Sequence, residues 1–244
     1  MSDTRRIALV TGCCRPEGIG FEVCRQLAQQ GIAVFLTALD ADKAIARAAN
    51  LQEEGLDVTG FALDITSTDS IDAVVNLIRM KHGRLDILVN NATGATNSRE
   101  PASRADVNEA RRIVDVTLFG SWQMIQATLP LLRESQAARI VNVSSSAGLH
   151  SDPALGLNSK WPGQPAYGIA KAALNALTAK FAAELRDSGI KVNAVCPGFT
   201  ATHPDMGPGA RPVAEGAEGI VWAALLDEDG PSGGFYHDKQ LQSW

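Results

Sequence analysis

Three stretches of this chain hold residue types that could do chemistry together. In Tyr167-Gly168-Ile169-Ala170-Lys171 a phenol and an ammonium stand four residues apart, in a segment that continues with helical periodicity. They therefore project from one face, about one turn apart. A positive charge beside a phenol lowers its pKa and makes tyrosine usable as a general acid or base nearer neutral pH. Upstream, Ser144-Ser145-Ser146-Ala147-Gly148 follows an apolar run, so hydroxyls sit where a strand should end. A serine there could hydrogen-bond a substrate oxygen while the tyrosine handles the proton. Near the start, Thr11-Gly12-Cys13-Cys14-Arg15-Pro16-Glu17-Gly18-Ile19-Gly20 joins an apolar run to a helical segment. Glycines in such a turn let the backbone approach a diphosphate, and the helix N-terminus that follows presents free N–H groups to it. Taken singly, each stretch has a plainer explanation: a tyrosine packed on a lysine stem, small polar residues closing a strand, a simple turn.

The elements that must position these residues are legible as an alternation. Short apolar, β-branched runs at residues 7–11, 33–37, 58–63, 86–90, 139–143, 191–195 and near 234–237 read as strands covered on both faces. Between them, Ile71, Val74, Val75 and Ile78, and again Leu174, Leu177, Phe181 and Leu185, fall on one helix face. No internal repeat or linker interrupts the pattern. The expected fold is α/β: one Rossmann-type doubly wound parallel sheet of about seven strands over residues 1–244, with helices on both faces. The irregular stretches at 94–104, 148–164 and 198–212 are long loops after strands, where open α/β sheets bind ligands.

Composition narrows the functional classes. At 244 residues, 45% hydrophobic and 20% charged, the chain has ordinary globular usage and enough length for one large core. Its net charge of −5, without a basic stripe, argues against a nucleic-acid partner. No apolar run approaches the roughly 20 residues that cross a bilayer, and residues 1–6 lead into an apolar stretch too short for a signal peptide. The expected address is the cytoplasm. Cys13, Cys14, Cys24 and Cys196 show no paired CxxC spacing and read as reduced thiols, and the four histidines lack metal-ligand spacing, so no metal is expected.

Together and in order, these pieces resemble the short-chain dehydrogenase/reductase family along the whole chain. The motifs are residues 11–20, Leu63-Asp64-Ile65, Asn90-Asn91-Ala92, residues 142–145, residues 167–171 and Pro197-Gly198-Phe199-Thr200-Ala201-Thr202. The segment from Glu215 through Gly230-Pro231-Ser232-Gly233-Gly234-Phe235-Tyr236 to Trp244 is similar to the carbonyl-reductase-like branch. The resemblance implies an oxidoreductase that moves hydride between a nicotinamide cofactor and a carbonyl or alcohol carbon. It implies Tyr167 as proton donor, Ser145 as orienting hydrogen-bond donor, and Lys171 as the residue that holds the nicotinamide ribose and tunes the tyrosine. It places the cofactor on Gly12, Arg15, Gly18, Ile19, Gly20, Asp64, Ile65, Asn91, Ala92, Tyr167, Lys171, Pro197, Gly198, Thr200 and Thr202.

Three positions depart from the family pattern. Five residues separate Gly12 from Gly18 where three are usual, Thr93 replaces the glycine after Asn-Asn-Ala, and Thr117 stands where a catalytic asparagine is usual. Thr117 is expected to bend its helix through a bond from its hydroxyl to the carbonyl of Ile113, and so to serve the catalytic relay by geometry. At the end of the second strand, Ala38 aligns with the acid that selects NAD in such folds, while Leu39 and Asp40 follow. That favours NADP(H) over NAD(H), with Arg15 available to a 2′-phosphate. The expected reaction is NADPH-dependent reduction of an aldehyde or ketone; an NAD-dependent alcohol dehydrogenase and a noncatalytic NADP-binding regulatory protein are the alternatives. Leu155, Leu157 and Trp161 in the loop 150–164, with residues 203–212, should line a pocket for an uncharged small molecule. Assembly stays open between a monomer and a homo-oligomer paired through the long helices around 106–132 and 170–187.

Overall fold

Every residue of β1 (Ile7–Val10) is buried, and its side chains alternate between two separate cores. Ala8 and Val10 face a layer made by α1 (Ile19–Gln29), α2 (Ala41–Glu53) and α7 (Val213–Ala224). Ile7 and Leu9 face α3 (Thr68–His82), α5 (Ser121–Arg133) and α6 (Pro165–Glu184). Two-sided burial is what turns a parallel strand into a continuous apolar run, because neither face meets water. The computed structural model describes residues 5–94, 100–160, 163–203 and 206–244.

The remaining strands are β2 (Ala33–Ala38), β3 (Val58–Ala62), β4 (Ile87–Asn90), β5 (Arg139–Val143), β6 (Lys191–Cys196), β7 (Phe235–His237) and β8 (Gln240–Gln242). They form one sheet in the order β3-β2-β1-β4-β5-β6-β7-β8. All neighbours are parallel except β7 and β8, which pair antiparallel. The expected doubly wound sheet is thus present, with eight strands among the described residues in place of about seven. The edge strand β3 departs from the expected two-sided burial: only Val58 is fully covered, because nothing lies beyond it in the sheet.

The two stripes read from periodicity are buried as expected. In α3, Ile71, Val74, Val75 and Ile78 pack on the sheet, each such side chain contributing about 1.5–3 kcal/mol. Ser67 caps its start by accepting from Ser70 N–H, and Gly83 ends it in a left-handed conformation. In α6, Leu174, Leu177 and Phe181 are buried, with Leu185 just past the helix end.

Between α4 (Val107–Val114) and α5 the helix widens into a six-residue π turn, Asp115–Gly120. The helix does depart from α winding at Thr117, but the bond expected there is not the one formed. The Thr117 hydroxyl leaves Ile113 alone and contacts Thr93 Oγ1 at 3.0 Å and the N–H of Gly94 at 3.1 Å. The wider winding frees the side chain from its own helix, while Ser121 Oγ donates to the Thr117 carbonyl at 2.8 Å.

Candidate active site

The sheet order reverses between β1 and β4, and the loops after β1, β4 and β5 meet at that carboxyl edge. There Thr11 Oγ1 accepts from the N–H groups of Asn91 (3.1 Å) and Ala92 (3.0 Å), and Asn91 Nδ2 donates to the carbonyls of Thr11 (2.7 Å) and Gly12 (3.1 Å). Asn91 and Ala92 therefore brace the glycine loop. Gly12 needs to be glycine twice over: its φ is +74°, and a Cβ would lie 2.6 Å from Ala92 Cα. Two extra residues in the loop are taken up by a turn closed by Gly18 N–H on the Arg15 carbonyl, 3.1 Å. Gly18 then caps α1 with no side chain covering the N–H groups of Ile19 and Gly20. A helix start with no side-chain cap, behind a glycine-rich turn, is a cradle that fits a dinucleotide diphosphate.

Other expected cofactor residues are already committed in part. The Arg15 guanidinium lies against the His203 ring, 3.0 Å from Nδ1, across the mouth of the groove. One Asp64 carboxylate oxygen accepts from Thr66 N–H and Oγ1, and Ile65 is buried, in line for close contact with Gly120. Ala38 closes β2 with its side chain in the core, whereas Leu39 is 73% exposed. Asp40 spends its carboxylate capping α2, accepting from Lys43 N–H at 3.1 Å. The last residue of β2 thus carries no carboxylate, and the nearest one, Asp40, lies two residues on and is half exposed. Thr200 Oγ1 donates to the carbonyls of Pro197 (3.0 Å) and Gly198 (3.2 Å), which folds the 197–202 loop; a bridge from Thr200 to Arg211 holds it, and Thr202 N–H donates back to Thr200 O.

Ser145 is the second residue past β5, and Tyr167 and Lys171 lie in the first turns of α6. Gly148 brings the two segments together, since a Cβ there would lie 2.6 Å from the Ala172 nitrogen. Two polar rungs fix the spacing. Ser144 Oγ donates to Asn175 Oδ1 at 2.5 Å, and Asn90, Asn142 and Thr178 form a buried ladder with steps of 2.9 and 2.8 Å. The Cys196 sulfur accepts from the N–H groups of Ser146 (3.3 Å) and Gly198 (3.4 Å), tying the serine loop to the 197–202 loop. These fasteners, Ser144, Asn175, Thr178 and Cys196, were not among the expected site residues. Lys171, Asn175 and Thr178 are spaced four and three apart, a signal that one helix face carries buried polar groups.

The Ser145 hydroxyl stands near the Tyr167 phenol and draws its pKa down. Lys171 Nζ lies 5.5 Å from the Tyr167 ring centroid and donates to the Val143 carbonyl at 2.7 Å. The expected lowering of the tyrosine does not occur. Enclosure of the hydroxyl pushes Tyr167 up from 10.0 to about 12, against the smaller opposite effect of the Ser145 hydroxyl. Burial also draws Lys171 down from 10.5 to about 7, so a full ammonium charge is not available beside the phenol at neutral pH. Of the expected pocket lining, Leu155 is exposed and Leu157 approaches Gly168, while Trp161 and residues 204 and 205 lie outside the described residues.

A family model described as short chain dehydrogenase matches residues 6–208. The chain is 32% identical to (+)-neomenthol dehydrogenase of Capsicum annuum, over 97% of this chain and 96% of that one. It is 33% identical to human (Homo sapiens) carbonyl reductase (NADPH) 3, with both chains covered in full. Among solved structures, a short chain dehydrogenase from Mycobacterium smegmatis superposes with a TM-score of 0.82 at 28% identity, covering 98% of this chain and 93% of that one. The chain belongs to the short-chain dehydrogenase/reductase family of oxidoreductases, which has carbonyl-reductase-like members. Among the described residues, no helix is long and apolar enough to cross a membrane, and no group of three His, Cys, Asp or Glu could hold a metal.

Proposed function

We propose that this protein reduces a small, uncharged aldehyde or ketone to the alcohol, with NADPH as hydride donor. One observation carries the reading: Ser145, Tyr167 and Lys171 converge at the carboxyl edge of β5, with the phenol beside Ser145 and held protonated near neutral pH. The cofactor supplies hydride to the carbonyl carbon. Ser145 orients the carbonyl oxygen, and Tyr167 gives that oxygen its phenolic proton as negative charge develops there. A phenol at about 12 is a weaker acid than free tyrosine, and the transfer is still downhill because the alkoxide that forms is a stronger base than the phenolate. Lys171 offers the ribose the N–H donors not spent on Val143.

The diphosphate would lie on the backbone of Gly12, Gly18, Ile19 and Gly20, with Asn91 and Ala92 holding the loop beneath it. Asp64 and Ile65 would flank the adenine, and Pro197, Gly198, Thr200 and Thr202 the nicotinamide end. Preference for NADPH rests on Ala38 in place of an acid at the end of β2, the nearby Arg15, and a relative whose name specifies NADPH. On this reading residues 1–244 act as one unit, working on a dissolved small molecule in the cytoplasm. The test is NADPH oxidation at saturating cofactor across aldehydes, diketones and cyclic ketones, with Tyr167→Phe alongside. Turnover that Tyr167→Phe abolishes supports the reading. Tight NADPH binding without turnover of any carbonyl would favour a regulatory protein instead.

A further inference from the structure

Two of the positions at which this chain departs from its family, Thr93 and Thr117, touch each other. Thr93 is in the loop after β4, Thr117 lies buried in the π turn, and their Oγ1 atoms are 3.0 Å apart. Neither side chain would exist in that form in the glycine and asparagine pattern, so the contact belongs to this sequence.

The direction of the bond follows from proton counting. A hydroxyl has one proton and two acceptor sites. Thr117 Oγ1 already accepts from Gly94 N–H at 3.1 Å. Were Thr93 to donate as well, the Thr117 proton would have no acceptor among the described residues at a site with no solvent exposure. The arrangement that pairs every group has Thr117 donating to Thr93. Thr93 then keeps its own proton, and Thr93 is exposed. The chain Gly94 N–H to Thr117 O–H to Thr93 O–H polarises that last donor outward.

Its location gives the donor a use. β4 lies between β1 and β5, so the loop carrying Thr93 sits between the glycine loop and Ser145. Thr93 is also the residue directly after Asn91 and Ala92, which are fastened to Thr11 and Gly12. We propose that Thr93 is a cofactor-binding residue, its hydroxyl donating to a ribose or phosphate oxygen of the bound dinucleotide between the diphosphate and the nicotinamide. Thr117 is a positioning residue that aims this hydroxyl and does not itself contact the reacting atoms. The proposal rests on the dinucleotide reading above.

The experiment measures the Kd of NADPH by fluorescence titration for the parent, Thr93→Val, Thr93→Ser, Thr117→Val and the Thr93→Val/Thr117→Val double variant, with unfolding midpoints as the folding control. Thr93→Val should bind about three- to tenfold more weakly, the range of one net hydrogen bond. Thr93→Ser should restore most of the loss. Thr117→Val should weaken binding when Thr93 is present and add nothing in the Thr93→Val background. Parent-like affinity in Thr93→Val overturns the proposal, as does an equal loss from Thr117→Val in both backgrounds. If Thr117→Val does not fold, the comparison of Thr93→Val with Thr93→Ser decides it alone. A parent that binds neither NADPH nor NADH overturns the dinucleotide reading and this proposal together, whereas a binding parent with an indifferent Thr93→Val overturns only this one.

Discussion

Lys171 donates a 2.7 Å hydrogen bond to the carbonyl of Val143, the last residue of the strand that delivers Ser145. Strand and helix are thereby joined at the chemistry itself, and the same bond spends one of three ammonium donors on structure.

Tyr167→Phe should lower kcat by roughly 10² to 10⁴ and leave the Kd for NADPH within about twofold, since the ring still packs but the transferable proton is gone. Steady-state rates and fluorescence titration check both halves. A loss of less than about tenfold in kcat would show that Tyr167 is structural.

Lys171 gives the protein a pH signature that can be read without substrate. Unfolded, the side chain holds its proton up to 10.5; folded, it releases it near 7. Between those values the unfolded chain binds more protons, so this residue makes stability rise with pH, by about 1.4 kcal/mol for each pH unit crossed. Tyr167 works the other way above pH 10, where the folded protein keeps a proton that the unfolded chain has lost. Melting temperatures from pH 6 to 9.5 should climb more steeply for the parent than for Lys171→Met. Parallel curves would mean that the lysine is charged in the folded state.

Cofactor choice should be decided just past β2. Leu39→Asp puts a carboxylate at the first exposed position there, and the preference for NADPH over NADH should fall about tenfold or more, equivalent to roughly 1.4 kcal/mol. Ala38→Asp, in contrast, should chiefly cost stability, because that side chain is in the core. Unchanged selectivity in Leu39→Asp would place the selecting residue elsewhere.

The rung between Ser144 and Asn175 predicts a loss at a distance from the reacting atoms. Asn175→Ala leaves a buried hydroxyl without its partner and should cost about 1–3 kcal/mol in denaturant unfolding. It should also lower kcat more than it raises KM, because α6 carries Tyr167 and Lys171. A stability loss with kcat untouched would show that the rung holds the fold but not the site.

Strands were legible because two-sided burial forces apolar runs, and β8 was not, because Gln240-Leu241-Gln242 is short, mostly polar and exposed. Ser145, Tyr167 and Lys171 were legible because helical geometry makes their spacing meaningful. The pKa of Tyr167 was not, since spacing reports that a lysine is near but says nothing of the burial that discharges it. The π turn left no composition signal in Asp115-Val116-Thr117-Leu118-Phe119-Gly120, and the partners of Thr117 within it, Thr93 and Gly94, lie far earlier in the chain.

That turn also sets a rule about length. A π turn carries one residue more than the α turn it replaces, and each residue of an α-helix rotates its successors by about 100°. Deleting any one residue between 115 and 120 would let the segment close into regular α-helix with α5 kept in phase, because the residue lost is the extra one. Met124, Ile125, Thr128, Leu131 and Leu132 would stay on the faces they fill. What such a deletion should cost is local: the winding that presents Thr117 to Thr93 and Gly94 would be gone, so the extra residue serves the site and not the packing of α5.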